Sequence, residues 1–212
     1  LSEIEQNPQT IRHLRAFCFD NEFTKIDDYK SMIKALNKVA ETMKQESETV
    51  QPELHIFGMA DTKNIQLKEY IEEEKIHKLS LRYRRHPNSF TEVLKELRCC
   101  TLFLAPSQEE PYNFLVFLSL KLGIPSLVAS SSGAGCLLRD CGPVNVRALV
   151  NVNGNMKENV RVWGDAMKQQ FMNADKQGHV WAKSLGDEMQ KLLGVGESEE
   201  NFITIVTGKK IY

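Results

Sequence analysis

The glycine-rich turn that cradles a dinucleotide is missing from this sequence. The segment that follows its first apolar run, Phe19 to Lys25 ("FDNEFTK"), contains no glycine, and a flavin or nicotinamide domain needs GxGxxG at that point. A GxSxG elbow is also missing, which removes the serine-hydrolase class. No apolar run approaches the roughly 20 residues needed to span a bilayer. Charge of one sign is lacking too: 27 basic against 28 acidic side chains leave a formal net charge of −1. That balance gives no electrostatic reason to expect nucleic acid or an anionic membrane as partner. There is no internal repeat and no low-complexity segment.

Cysteine is scarce and odd in number: Cys18, Cys99, Cys100, Cys136 and Cys141. The spacing from Cys136 to Cys141 fits neither a zinc knuckle nor a CxxC redox pair, and no histidine stands nearby. No metal site is expected. Four of the five lie in or beside apolar segments, as buried thiols in a reducing, cytoplasmic setting would. The chain starts at Leu1, which is expected to mark a piece excised from a longer protein.

What is present is a repeating alternation. "RAFCFD" (15–20) is a short apolar run, and "DDYKSMIKALNKVAETMKQE" after it carries apolar residues at helical spacing. The same strand-then-helix pattern returns with "ELHIFG" (53–58), "KLSLRY" (78–83), "TLFLAP" (101–106), "PSLVAS" (125–130) and "VRALVNV" (146–152). Six such alternations predict right-handed crossovers and an α/β fold: a doubly wound, mostly parallel six-stranded sheet, Rossmann-like, with helices on both faces. The unbroken apolarity of "TLFLA" and "SLVA" fits central strands covered on both sides. The acidic "YIEEEK" (70–75) reads as a solvated helix face. Two amphipathic helices, at about 155–173 and 178–193 with a break near Gly178, are expected to pack back on the sheet with Trp163, Phe171 and Trp181 inward. The expected organisation is an extension or linker over 1–14, one domain over 15–193, and a charged turn with a short strand or linker over 194–212.

In such a sheet, ligands bind outside the carboxyl ends of the strands, where the strand order reverses. The segments to inspect are 20–25, 58–62, 82–87, 106–113 and 130–135. "FGMADTKN", "PSQEEPYN" and "SSSGAG" bring glycines, hydroxyls and carboxylates to that rim, which suits phosphate and sugar. A helix opening at about Asn113 offers backbone N–H groups and a positive dipole end to an anion. Carboxylates beside it suit a polyhydroxylated ligand. A plainer reading remains open, in which Ser107, Glu109 and Glu110 only cap that helix.

The stretch "LFLAPSQEEPYNFLVFLSLKLGIPSLVAS" resembles the carboxy-terminal signature of retaining, two-Rossmann-domain (GT-B) glycosyltransferases of the group 1 type. That signature runs strand, Pro-Ser, Glu-Gly-Phe-Gly, an apolar stretch, Glu-Ala, and Gly-x-Pro-Val-Val-Ala-Ser. Anchored on Gly123 and Pro125, its first Glu falls on Glu110 and its aromatic on Tyr112. "LHIFGMAD", "KLSLRYRRHPNSFTEVLKELRCC" and "FCFDNEFTKIDDYKSMIKAL" resemble other parts of the same domain. The departures are specific. The second Glu, which holds the nucleotide ribose, falls on Leu118; the glycine after the aromatic falls on Asn113; and the first-loop Arg falls near Asn21, leaving Lys25.

The resemblance implies a UDP- or GDP-linked sugar as ligand and no cofactor. Lys25 would neutralise its phosphates, the amides of Asn113, Phe114 and Leu115 would bind the diphosphate, and Glu110 would touch the sugar. Gly58, Tyr112, Ser131, Ser132 and Gly133 complete the expected site. It also implies that catalysis needs a cleft between two domains, so an amino-terminal Rossmann-like domain, or other domains of a parent protein, are the expected partners. No residue of this chain is assigned a catalytic role. Two functions follow: a nucleotide-sugar donor-binding domain that is inactive alone, or a non-catalytic ligand-sensing or protein-interaction module, a pseudoenzyme, in a larger protein.

Overall fold

The computed structural model describes residues 14–20, 23–46, 52–84, 89–142, 147–172 and 176–192. Six strands, β1 (Arg15–Phe19), β2 (Glu53–Phe57), β3 (Ser80–Arg84), β4 (Leu102–Ala105), β5 (Ser126–Ala129) and β6 (Leu149–Val150), form one sheet in the order β3-β2-β1-β4-β5-β6. Every pairing is parallel, with Ala16 opposite Leu54 on one side and Leu102 on the other. The helices are α1 (Ile26–Glu46), α2 (Asp61–Glu73), α3 (Phe90–Cys99), α4 (Phe114–Lys121), α5 (Gly133–Asp140), α6 (Met156–Met172) and α7 (Lys176–Leu192). None of them is long and apolar enough to cross a membrane.

Alternation along each strand sends neighbouring side chains to opposite faces. Ala16, Cys18, Leu54, Ile56, Leu102 and Leu104 meet the apolar stripes of α1, α2 and α6 in one buried cluster, which includes Tyr29, Leu36, Trp163 and Phe171. Phe17, Phe57, Phe103 and Val128 meet α3, α4, α5 and α7 in the other. There Phe17 packs edge-on against Phe57 at 5.2 Å between ring centroids. β4 and β5 are buried at every residue, as their unbroken apolarity predicts.

The apolar helix α4, "FLVFLSLK", lies between the sheet and α7. Gly186 makes the crossing close: a β-carbon there would stand 2.8 Å from the backbone nitrogen of Lys121. Lys121 also reaches Asp187 at 2.6 Å and Gln190 at 2.7 Å across the same interface.

The two C-terminal helices appear as expected: α6 ends at Met172 and α7 begins at Lys176, with Gly178 in its first turn. Three sequence expectations change. β6 has only two residues, and part of the run 146–152 lies outside the described residues. The face "YIEEEK" is not wholly solvated, because Tyr70 is buried and its hydroxyl donates to the Lys30 carbonyl. Cys18 and Cys100 are buried but Cys99 and Cys136 are exposed. The short strand expected within 194–212 lies outside the described residues, as does Asn21.

Candidate functional site

The strand order reverses between β1 and β4, so the β1–α1 and β4–α4 loops face each other across the switch point. Side chains bridge them. The Lys25 ammonium donates to the Glu109 carboxylate. Beside this pair, the Gln108 amide donates to Asp28 Oδ1 at 2.8 Å, and the Lys25 backbone N–H donates to Asp28 Oδ2 at 3.1 Å. Asp28 is 5% exposed, and burial raises its carboxyl above the usual range against the pull of these hydrogen bonds.

The β5–α5 loop closes the rim from the other side. The Gly133 N–H donates to the Glu110 carbonyl at 2.8 Å, and the Ser131 hydroxyl donates to the Gln108 carbonyl at 3.3 Å. Only glycine permits this approach: a β-carbon on Gly133 would lie 1.4 Å from the Pro111 carbonyl oxygen. Ser132 is spent locally, accepting from Gly135 N–H and donating to Ala129 O as the cap of α5. Gly58 ends β2 at φ +81°, and its N–H donates to the Arg84 carbonyl at 3.0 Å.

Glu110 is buried and its carboxylate accepts from the Asn113 side-chain amide at 2.9 Å. Asn113, not a serine or glutamate, caps α4: its Oδ1 accepts from Leu115 N–H at 3.0 Å and its carbonyl from Val116 N–H at 3.1 Å. The side chains of Phe114 and Leu115 belong to the apolar cluster below. Tyr112 is 41% exposed, and partial burial raises its phenol. Leu118 is half-buried against the same cluster as Phe114. It lies one turn into α4, not two turns along a helix from Glu110, because Glu110 precedes the helix in an irregular segment.

Two groups at the switch point escaped sequence reasoning, and a third was read only as a helix cap. Asp20, at the end of β1, is 3% exposed; it accepts from Tyr29 Oη at 2.7 Å and from Lys63 Nζ at 3.0 Å. Lys63 comes from the first turn of α2, and nothing local in "FGMADTKN" announces that it reaches β1. Burial first, and then the charge of Asp20, push the Cys18 thiol far above its ordinary value, so it is no nucleophile. The third is Ser107, 2% exposed, whose Oγ has no hydrogen-bond partner among the described residues. Among those residues no group of histidine, cysteine and carboxylate side chains is arranged to hold a metal. Pockets of about 470 Å³ beside Tyr83 and about 600 Å³ between α1 and α6 lie off the switch point.

The model of a family described as "Family 4 Glycosyltransferase in conflict systems" matches residues 5–194. The chain belongs to this family. No curated protein matches the sequence. Among solved structures, the fold is similar to an α,α-trehalose-phosphate synthase (UDP-forming) from Burkholderia xenovorans at TM-score 0.58 and 13% identity, covering 86% of this chain and 40% of that one. It is similar to WaaG, a glycosyltransferase involved in lipopolysaccharide biosynthesis, at 0.58 and 14%, covering 93% and 48%. The catalytic domain of cholesterol-α-glucosyltransferase from Helicobacter pylori gives 0.55 and 17%, covering 85% and 98%. The family member described here thus has a GT-B glycosyltransferase-like fold, and it spans under half the length of the first and second of these structures.

Proposed function

We propose that this chain is the donor-side domain of a glycosyltransferase, taking a UDP- or GDP-linked sugar in the crevice between the β1–α1 and β4–α4 loops and depending on a second domain for turnover. The observation that carries the reading is the Lys25–Glu109 pair across the switch point. Both side chains are about three-fifths exposed, at 62% and 61%, and solvent screens an ion pair so exposed. A diphosphate can therefore replace Glu109 on Lys25 at little cost. Glu110, fixed through its carbonyl and carboxylate, stands beside the sugar; Gly58, Tyr112, Ser131, Ser132 and Gly133 shape the rim.

Two features weaken the site. The Leu115 amide already serves Asn113, so an anion at the start of α4 competes with the cap. Leu118 offers the ribose hydroxyls no acceptor, and hydrogen bonds to a charged group are worth roughly 1.5–3 kcal/mol each. Binding in the millimolar range is the expectation, and a titration of the chain with UDP-sugars and GDP-sugars followed by NMR tests it. No saturable change with either sugar nucleotide would sink the reading.

The alternative is a non-catalytic module, a pseudoenzyme piece of a larger protein. It is favoured by one specific observation: Lys63, the second cation near the switch point, is engaged by the buried Asp20 within the chain. Both readings accommodate a reducing, cytoplasmic setting, supported by five cysteines that are all free thiols.

A further inference from the structure

Ser107 stands two residues past β4, at the switch point itself. Its hydroxyl is buried and has no partner among the described residues, although a buried polar group left unsatisfied lowers stability. Helix capping does not account for it, because Asn113 performs that task for α4. Packing does not require a hydroxyl either, since alanine would serve in an apolar setting. The two residues that follow, Gln108 and Glu109, both reach across the crevice, to Asp28 and Lys25.

We propose that the Ser107 hydroxyl is a ligand-contacting group of the crevice, kept for an anionic oxygen of the donor diphosphate, and that the ligand reaches it when Gln108 and Glu109 release Asp28 and Lys25. The assignment rests on the donor-side reading above. Its chemistry follows from the charges. Glu109 occupies Lys25 as a phosphate would, so an incoming diphosphate that takes Lys25 frees Glu109. The 108–109 segment is then held through Gln108, by its bonds to Asp28 and by the weak 3.3 Å bond from the Ser131 hydroxyl, and its displacement uncovers the hydroxyl next to it in the chain. A hydroxyl donating to an anionic oxygen forms a charge-assisted bond, stronger than one to a neutral acceptor. It therefore discriminates for a diphosphate over an uncharged sugar.

The test uses the 212-residue chain, unmodified and as Ser107→Ala, titrated with UDP, inorganic pyrophosphate and glucose by NMR, with thermal unfolding of both proteins measured without ligand. Ser107→Cys, similar in shape and a poor donor, serves as a second variant should the alanine form fail to fold. The expected result is an unfolding temperature unchanged or raised in Ser107→Ala, with UDP and pyrophosphate bound roughly tenfold or more weakly and the response to glucose unaltered. Equal affinity of both proteins for UDP overturns the role of Ser107 while leaving the donor reading in place. A lowered unfolding temperature with unchanged affinity does the same, identifying a structural hydroxyl. Failure of the unmodified chain to bind UDP or pyrophosphate overturns both.

Discussion

Lys25 and Glu109 meet across the point where the sheet reverses its strand order, a cation from the loop after β1 against a carboxylate from the loop after β4. Neither loop supplies both charges, so the pair exists only because the two loops face each other.

Glu109→Gln keeps the shape of the loop and removes the competing negative charge. It is expected to tighten UDP binding several-fold, while Lys25→Ala weakens it, and both are expected to leave the unfolding midpoint nearly unchanged, because solvent screens so exposed a pair. Paired calorimetric and urea titrations would decide this. A large stability loss in either variant would make the pair a structural brace.

Gly133→Ala places a methyl group 1.4 Å from the Pro111 carbonyl oxygen. Backbone on both sides has to move, so a loss of about 3 kcal/mol or more is expected, the upper range for overpacking. The hydrogen bond from Gly133 to Glu110 would be lost with it. Urea denaturation gives the first quantity, and protection of the Gly133-position amide from hydrogen exchange gives the second.

Leu118→Glu restores the carboxylate that the resemblance places there. Because Leu118 is half-buried against the second apolar cluster, the exchange is expected to cost about 1–3 kcal/mol of stability. Affinity for UDP- and GDP-sugars is nevertheless expected to improve. Micromolar binding by the unmodified chain would refute the argument from Leu118. An intact fold with no gain in affinity would point to a module whose partner is another protein.

The acid limb of stability should depend on Glu53. Burial opposes its ionisation, but the Arg15 guanidinium at 3.0 Å, with Arg82 and His55 beside it, outweighs burial and holds the carboxyl below its ordinary range. A folded pKa below the unfolded one contributes stability that is present at neutral pH and lost as pH falls through the lowered value. Glu53→Gln is thus expected to reduce stability at pH 7 and to flatten its decline under acid. Unfolding curves from pH 7 to pH 3 that ran parallel for both proteins would contradict it.

The sheet was legible because its signal is local: "RAFCF", "ELHIF" and "TLFLA" announce themselves as short apolar runs separated by helical periodicity. Asn113 was legible as a helix start for the same reason. Partnership was not. Lys25 read as a cation for the donor phosphates with no partner in the chain foreseen, because Glu109 lies 84 residues away and only the parallel crossover from β1 to β4 brings the two together. Lys63 was passed over in a loop of small residues, since its reach to Asp20 depends on β2 lying beside β1. The solitary state of Ser107 is a property of everything packed around it, which no window of sequence contains. Gly178 was a fair local signal: α7 begins two residues before it.

The close crossing of α4 and α7 at Gly186 also bears on how the molecule is made. A ribosome delivers all six strands before α7, so the outer side of α4 has no backing helix while synthesis passes through α6. During that interval an apolar helix that borders the crevice stands uncovered, the kind of surface that draws nascent chains into aggregation. The crevice thus gains its support last, after the sheet beneath it is complete.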